Sequence, residues 1–337
     1  DSTYAVTDTA LFDYTVTVSD AADTVVVAVA ARGTAAIAAQ LGTTNDTAAA
    51  FSQANRAVAA DAVALSAFTT ALNAGGATAT RLANQVTLPA DTLGATTAAV
   101  LQTGGSTISV VGGRQASTRI GQQFAAANGT GFSSGNHGKH SAFWAKGFGS
   151  LASQDEANGI KGFDADSKGM VFGVDTEVAN TTRIGASFTF ANTSIDGDGA
   201  GNAQNDIRSL QVTAYGDYTT DTYYIEGAVG VARNESKTTR AINTAGLNRV
   251  ASGEFDGEQY MVSLKGGVPM SLGGSAFVTP TAGLSYTHVT NDSYTETGAG
   301  TLNLTVNPGD VDALVASLGA KVHTRIKQGL GHIVPTA

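Results

Sequence analysis

Leu210-Gln-Val-Thr-Ala-Tyr-Gly-Asp-Tyr-Thr-Thr-Asp-Thr-Tyr-Tyr-Ile-Glu-Gly-Ala-Val-Gly-Val231 decides the fold. Leu210, Val212 and Ala214 alternate with Gln211, Thr213, Tyr215 and Asp217. After the polar turn Thr219–Thr222, Tyr223, Ile225, Val229 and Val231 alternate with Tyr224, Glu226 and Gly230. Successive strand side chains point to opposite faces, so this is a hairpin with one apolar and one polar face.

The same period runs outward in both directions. Met170, Phe172 and Val174 alternate with Val171, Gly173 and Asp175, and Ile184 to Phe190 repeats the pattern. Tyr260 to Val268, Val278 to Tyr286 and Leu314 to Val322 do so again. With Ala142–Gly149, whose facing the alternation does not decide, this predicts eight strands from Ser141 onward. A soluble sandwich alternates too, but the connections separate the two architectures. Long segments (150–167, 192–207, 233–256, 290–310) alternate strictly with short ones (178–182, 219–222, 269–274, 326–331). An up-and-down membrane barrel has that rhythm, with short turns on the periplasmic side and long loops outside; a Greek-key sandwich has no cause for it. The prediction is a mainly β chain built on an antiparallel up-and-down transmembrane β-barrel of the outer-membrane type. Trp144, Tyr215, Tyr218, Tyr223, Tyr260 and Tyr286 fall near strand ends and are assigned to an aromatic girdle. Tyrosine is also simply a good strand residue.

Two other zones precede the barrel. Residues 1–44 read as a β segment, with Tyr14–Val18 and Thr24–Ala31 as a hairpin too small to be stable alone. Residues 45–140 change to a helical period and form an α-helical linker. Phe51, Val58, Leu65, Phe68 and Leu72 predict one helix over Asp46–Asn73, stopped by Gly75-Gly76. Two weaker stretches follow, Asp91–Gln102 and Ser106–Ala127, the second interrupted by Gly112-Gly113. Asn128–His140 is rich in Gly and Ser. Residues 141–337 are the barrel segment.

Composition narrows the function. The 337 residues hold 19 Lys and Arg against 28 Asp and Glu, a net charge of −9, with 41 Gly and no Cys. Without a basic stripe, nucleic acid is not a partner. Without cysteine there are no disulfides, thiolate metal sites or Cys nucleophiles. The longest apolar run, Val25–Ala31, is far below the roughly 18 residues of a spanning helix. Asp1 has no signal-peptide pattern after it, so the sequence is expected to be a fragment or to have lost a leader.

Several stretches resemble the autotransporter β-domain, the translocator of type V secretion in Gram-negative bacteria. Ser141-Ala-Phe-Trp-Ala-Lys-Gly-Phe-Gly149 is similar to its opening strand, Gly162–Asp175 to its second and Arg183–Asn192 to its third. The most specific part is Tyr294-Thr-Glu-Thr-Gly-Ala-Gly300 with Leu302–Val306 and Ser317–Val322. The Ala-rich zone resembles the linker of such proteins, and Phe12–Val18 with Thr24–Val27 the last strands of a β-helical passenger. The resemblance implies a passenger end, a linker through the pore, and a barrel that supports export of its own passenger to the cell surface. Outer-membrane lipid, the assembly machinery and periplasmic chaperones are the implied partners. The family's barrel has twelve strands and closes on a terminal aromatic residue, whereas this chain stops at Ile333-Val-Pro-Thr-Ala337, which reads as the start of a ninth strand. Further residues or chains are therefore expected to complete the barrel, since open edges in lipid are costly.

The chemistry expected is topological. No P-loop and no cofactor motif is present, and folding outside the cell would make return unfavourable. The polar alternates Asp175, Gln211, Asp217, Glu226, Lys265, Lys321 and His323 would line the lumen, with Lys146 a further candidate, because Lys facing lipid at mid-depth costs about 2–4 kcal/mol. Arg114 and Arg119 of the linker could pair with lumenal carboxylates or merely keep the segment soluble. Gly131-Phe-Ser-Ser-Gly135 fits G-x-S-x-G, but it lacks the strand-to-helix setting and reads as chance, so no enzyme is expected. His137 and His140 lack further ligands for a metal. Asp196-Gly-Asp-Gly-Ala-Gly-Asn202 fails the calcium-loop pattern at Ala200 and reads as a flexible loop. Some family members cut their linker at an Asn; Asn84 and Asn128 are available but match no motif. The alternative function is an outer-membrane channel or adhesive barrel with ligand-binding loops; a third is a soluble β-rich surface protein.

Overall fold

The computed structural model describes residues 6–19, 24–119, 131–133, 141–273, 276–324, 326–328 and 331–333. Strands β1 (Phe12–Ser19) and β2 (Thr24–Ala31) form a separate antiparallel hairpin. The 1–44 zone is not all strand, because Thr34–Leu41 is helix α1: its alanines favour helix, and Ile37, Ala38 and Leu41 bury one side. Gly42, at φ +60°, ends it.

The single helix expected over Asp46–Asn73 is two, α2 (Asn45–Ala57) and α3 (Ala62–Ala74), joined by a 3₁₀ turn at Val58–Ala60. Asp61 causes the break: it leaves the helical conformation, and its carboxylate caps α3 by accepting from the Ala64 N–H at 3.1 Å. Gly75, also at φ +60°, ends α3 and starts α4 (Gly76–Gln85) rather than stopping the helical zone. Helix α5 (Ala90–Arg119) runs unbroken through Gly104-Gly105 and Gly112-Gly113. Each interior glycine costs about 1 kcal/mol in propensity, but close packing requires at least one of them. A Cβ at Gly104 would lie 2.4 Å from Nε2 of Gln259 and 2.6 Å from Sδ of Met261.

Eight long strands follow: β4 (Ala142–Gln154), β5 (Phe163–Ala179), β6 (Thr182–Gly197), β7 (Gln204–Thr219), β8 (Tyr224–Ile242), β9 (Arg249–Gly267), β11 (Ala276–Asn291) and β14 (Val311–Thr324). Each pairs antiparallel with its neighbour in chain order, in one curled sheet that wraps α5. Short β3 (Gly131–Ser133) pairs with β4, and β10 (Met270–Gly273) with β11, after Pro269 interrupts the ladder. Small pairs β12 (Tyr294–Thr295) with β13 (Thr305–Val306), and β15 (Ile326–Gln328) with β16 (Gly331–Ile333), lie outside the main sheet. Of the residues read as the start of a ninth strand, Ile333–Ala337, Ile333 pairs with Ile326 in that hairpin and the others lie outside the described residues.

At 13 to 19 residues, the strands exceed the roughly 9–11 needed to cross a bilayer. Most of the sequence's long loops are strand, leaving connections at 155–162, 198–203 and 243–248; only 292–310 stays long. The surplus extends the sheet past the long-turn end. Its outward face there carries exposed ion pairs such as Arg233–Asp256 (2.7 Å) and Lys237–Glu254 (2.9 Å). Below this rim the outward face is apolar and exposed, with Phe172, Phe188, Val212, Val231 and Leu264 among its residues, as contact with lipid requires.

Facing in β4 is now settled: Trp144 points inward and Phe143 outward. The girdle assignment is corrected for two residues. Trp144 and Tyr215 lie inside, 3% and 6% exposed, while Tyr218, Tyr223, Tyr260 and Tyr286 are exposed on the outward face. The reason is the glycine opposite. Trp144 stands beside Gly173 in register and Tyr215 beside Gly185, and their rings cover the space a side chain would occupy. Phe148 covers Gly169 and Tyr224 covers Gly267 in the same way.

At the long-turn end α1–α4 form a cap whose core includes Phe51 stacked on Phe68, their centroids 5.2 Å apart. Rim residues Ile242, Leu247, Ala251, Ala299 and Leu302 complete that core. Asp61 is held by Arg249 through two hydrogen bonds, of 2.6 and 2.8 Å. The Arg249 guanidinium keeps its carboxyl well below the usual carboxylate range.

Two outcomes are expected. Gly173→Ala should destabilise the folded barrel by about 1–3 kcal/mol in thermal or denaturant unfolding, since its Cβ would sit 2.3 Å from Trp144 Cε2; in a Trp144→Ala background the same change should cost far less. Asp61 has a depressed folded pKa, so its contribution is complete above about pH 4 and is lost as pH falls through the lower folded value. Hydrogen-exchange protection of the cap should hold from pH 7 to about pH 5 and drop only in stronger acid; loss near pH 6 would assign the contact to another group.

Candidate functional site

The site is the lumen with α5 inside it. At 30 residues α5 is about 45 Å long, and small side chains let it lie close to the wall. Thr92, Thr96, Ala99, Thr103, Thr107 and Val111 are buried along it. Its first turn meets the β6–β7 turn: Asp91 accepts from the Gly199 N–H at 3.1 Å, and Gly197 and Gly199 leave room for the carboxylate. The 196–202 segment is therefore not a free loop but the seat of the α5 start. Below it, Ala95, Ala99 and Val100 pack on Ala165, Ile195, Ile207 and Val289, an apolar cluster set among buried neutral polar side chains such as Ser167, Thr193 and Asn205. The amide of Asn205 donates to Thr96 at 2.6 Å.

Toward the short-turn end the contacts become ionic. Arg114 donates to Asp175 twice, Nε to Oδ2 at 2.7 Å and Nη2 to Oδ1 at 3.0 Å. Arg183 donates to Oδ1 at 2.8 Å, and the Tyr215 hydroxyl to Oδ2 at 3.2 Å, itself accepting from the Trp144 indole at 2.8 Å. Asp175 is 1% exposed, yet its oxygens accept four hydrogen bonds, the condition for keeping a buried carboxylate charged. The next residue, Gln115, donates to the Gly216 carbonyl at 2.8 Å. Arg119 then donates to Glu226 at 2.9 Å and lies 3.6 Å above the Tyr224 ring. Three wall contacts, to Asp175, Gly216 and Glu226, thus grip the last turns of α5.

Of the other polar alternates, Gln211 is buried and donates to Thr213 at 2.9 Å, on the wall rather than on α5. Half-buried Asp217 accepts from Thr219 at 3.2 Å. Lys265 stands opposite Glu226 in register, and Lys321 opposite Thr279. Lys146 faces the helix, its amine 3.4 Å from where a Cβ on Gly113 would be. His323 pairs opposite Phe277, and its side chain lies outside the described residues, as do His137, His140 and Asn128. Asn84 belongs to α4 in the cap, and Ser133 lies in β3. Among the described residues no three metal-ligating side chains come together.

Sequence reading missed Arg183 as the second clamp on Asp175, although its phase with Gly185, Ser187 and Thr189 already put it on the polar face. It also missed Gln115, which carries no charge to mark it.

The sequence model of the Autotransporter beta-domain family matches residues 143–337. The chain belongs to the autotransporter β-domain family. Among relatives of this autotransporter domain, Outer membrane protein B of Rickettsia prowazekii is 31% identical over 186 residues, 53% of this chain and 11% of that protein. Outer membrane protein A of Rickettsia conorii is 29% identical over 264 residues, 73% of this chain and 12% of that protein. The autotransporter segment thus spans about a tenth of the length of the curated relatives it matches. The translocator domain of autotransporter NalP from Neisseria meningitidis aligns with a TM-score of 0.45 at 16% identity, covering 68% of this chain and 72% of that one. The β domain of the Bordetella autotransporter BrkA aligns with a TM-score of 0.43 at 22% identity, over 58% and 76%. The domain belongs to the outer membrane, and in a barrel of this type the short turns mark the periplasmic end.

Removing one partner of a buried pair costs about 3–5 kcal/mol. Asp175→Ala, which strands two arginines, should reach that range in exchange protection of the α5 amides. Arg114→Gln should cost less, because Arg183 and Tyr215 still satisfy Asp175. Equal effects would mean that Arg183 carries no share of the charge.

Proposed function

We propose that this domain anchors a passenger encoded upstream and supports its export to the cell surface without ATP, α5 being the part of the linker that stays in the lumen. One observation carries the reading: α5 enters at the outer rim beside Gly199 and ends at the periplasmic level beside Glu226. Its N-terminal neighbours are therefore outside. A chain held in that direction has already sent its upstream part across.

Assembly through the outer-membrane insertion machinery, with periplasmic chaperones holding the strands beforehand, follows from the same reading. Long strands with exposed apolar faces cannot travel unprotected through water. We assign the domain no catalysis of its own; its work is anchoring. The channel or adhesin alternative needs free external loops. Three of the four outer turns instead pack on helices, 198–203 on Asp91 and 243–248 and 292–310 on the cap, and only 155–162 is exposed.

Intact cells making the native full-length protein provide the test, through fractionation and then added protease. Residues after Ser141 should stay with the outer membrane while the part before Thr34 is shaved from outside. A fully soluble protein, or upstream residues that never reach the surface, would rule export out.

A further inference from the structure

Gly149 has no packing reason inside the protein. Rings cover Gly169, Gly173 and Gly185, but a Cβ at Gly149 would meet only the Ser167 carbonyl oxygen, at 3.5 Å, an ordinary contact. Nor does its backbone enter the left-handed region that favours glycine. A glycine within a strand weakens it and marks places where a ligand or another backbone comes close. Gly147 lies two residues earlier in β4 and so on the same outward face. In register, Gly147 stands beside Met170 and Gly149 beside Lys168; these in turn stand beside Phe190 and Asn192.

These residues line an open groove of about 580 Å³ on the outside of β4–β6, within the usual size range of ligand sites. The glycines leave its floor bare, Met170 and Phe190 are exposed along its apolar wall, and exposed Lys168 and Asn192 close the end nearer the rim. Depth limits what can lie there. Lys168 is twelve residues from Asn180 in the short turn. That is about 30 Å along the membrane normal, at roughly 3.3 Å per residue and roughly 40° of tilt. The apolar band of such barrels is about 25 Å tall, so Met170 and Phe190 reach its outer edge and Lys168 stands at the outward headgroup level.

A lysine at that depth can reach water by extending its stem, but its surroundings set this one apart. The other outward cations of β5–β9, Arg208, Arg233 and Lys237, each face a carboxylate within 4.0 Å. Among the described residues Lys168 has no such partner. We propose that the groove binds one phosphorylated glycolipid of the outward leaflet. An acyl chain would lie over Gly147 and Gly149 against Met170 and Phe190, and the phosphate would accept from the Lys168 ammonium and the Asn192 amide. Such binding depends on placement in the outer membrane alone and not on the export reading.

The test uses the full-length protein extracted from its own outer membrane in mild detergent. Lipid A, the phosphorylated and acylated glucosamine disaccharide of such membranes, is the probe, and native mass spectrometry counts the lipid held per chain. Heat-dependent mobility on gels confirms that each barrel is folded. Lys168→Gln and Gly149→Leu should each raise the lipid A concentration for half occupancy about tenfold, the scale of losing a charge-assisted hydrogen bond. Asp166→Asn, on the same face but outside the groove, should leave it unchanged. Should Gly149→Leu fail to fold, Phe190→Ala removes part of the groove wall and should weaken binding in the same direction. An effect of Lys168→Gln without one from the groove variants would mean that a surface charge merely attracts headgroups, and would overturn the site. An effect of the groove variants alone would overturn the phosphate contact. Wild-type affinity in all variants, an equal effect of Asp166→Asn, or displacement of the lipid by equimolar inorganic phosphate would each overturn the proposal as a whole.

Discussion

A buried carboxylate must be answered by donors, and Asp175 sets the terms for the lower half of this molecule. It sits inside the barrel wall at 1% exposure with four hydrogen bonds converging on two oxygens. Those donors come from α5, β6 and β7, and β4 joins through Trp144 and Tyr215. With β5, which carries Asp175, five elements are fixed relative to one another by one charge. Arg114 is the only donor of the set that belongs to the linker, so the depth and rotation of α5 follow from the position of Asp175.

Space obeys a related constraint. Lumen-facing glycines at 169, 173, 185 and 267 each lie under an aromatic ring from the adjacent strand. The rings fill the volume between wall and helix without adding side chains on both strands. That explains how a helix of mostly small residues can be packed tightly in a barrel of mostly small residues. At Gly104 the exchange reverses, and it is the helix that gives way to Gln259 and Met261 of the wall.

The upper part follows different physics. There α5 is held by an apolar cluster, by the Asn205–Thr96 hydrogen bond and by Asp91 accepting from the Gly199 N–H in its first turn. Above it, strands longer than the bilayer build a rim that shares a hydrophobic core with the cap. Of the outer connections, which by length alone suggest freedom to bind ligands, 243–248 and 292–310 are taken up by this packing. The Tyr294–Gly300 stretch, the most family-like part of the sequence, contributes Glu296 to a buried ion pair with Arg240 of the rim and Tyr294 to a stack on Phe255.

Strand existence and the apolar outward face were legible in the residues, because side-chain direction alternates with period two in any strand, whatever surrounds it. Helical character in 45–119 was legible for the same local reason, but its division was not: Asp61 caps a new helix only where Arg249 and Thr301 receive it, and Gly104 continues one only where Gln259 needs the room. The inward turn of Trp144 and Tyr215 was likewise illegible, since it depends on which glycine stands opposite on the next strand. Faces were thus determined by the sequence itself, through a property of the single strand. Partners, among them Arg114 with Asp175 and Asp61 with Arg249, were decided only by the tertiary structure, because register between strands and the seating of helices bring together residues 61 and 188 positions apart.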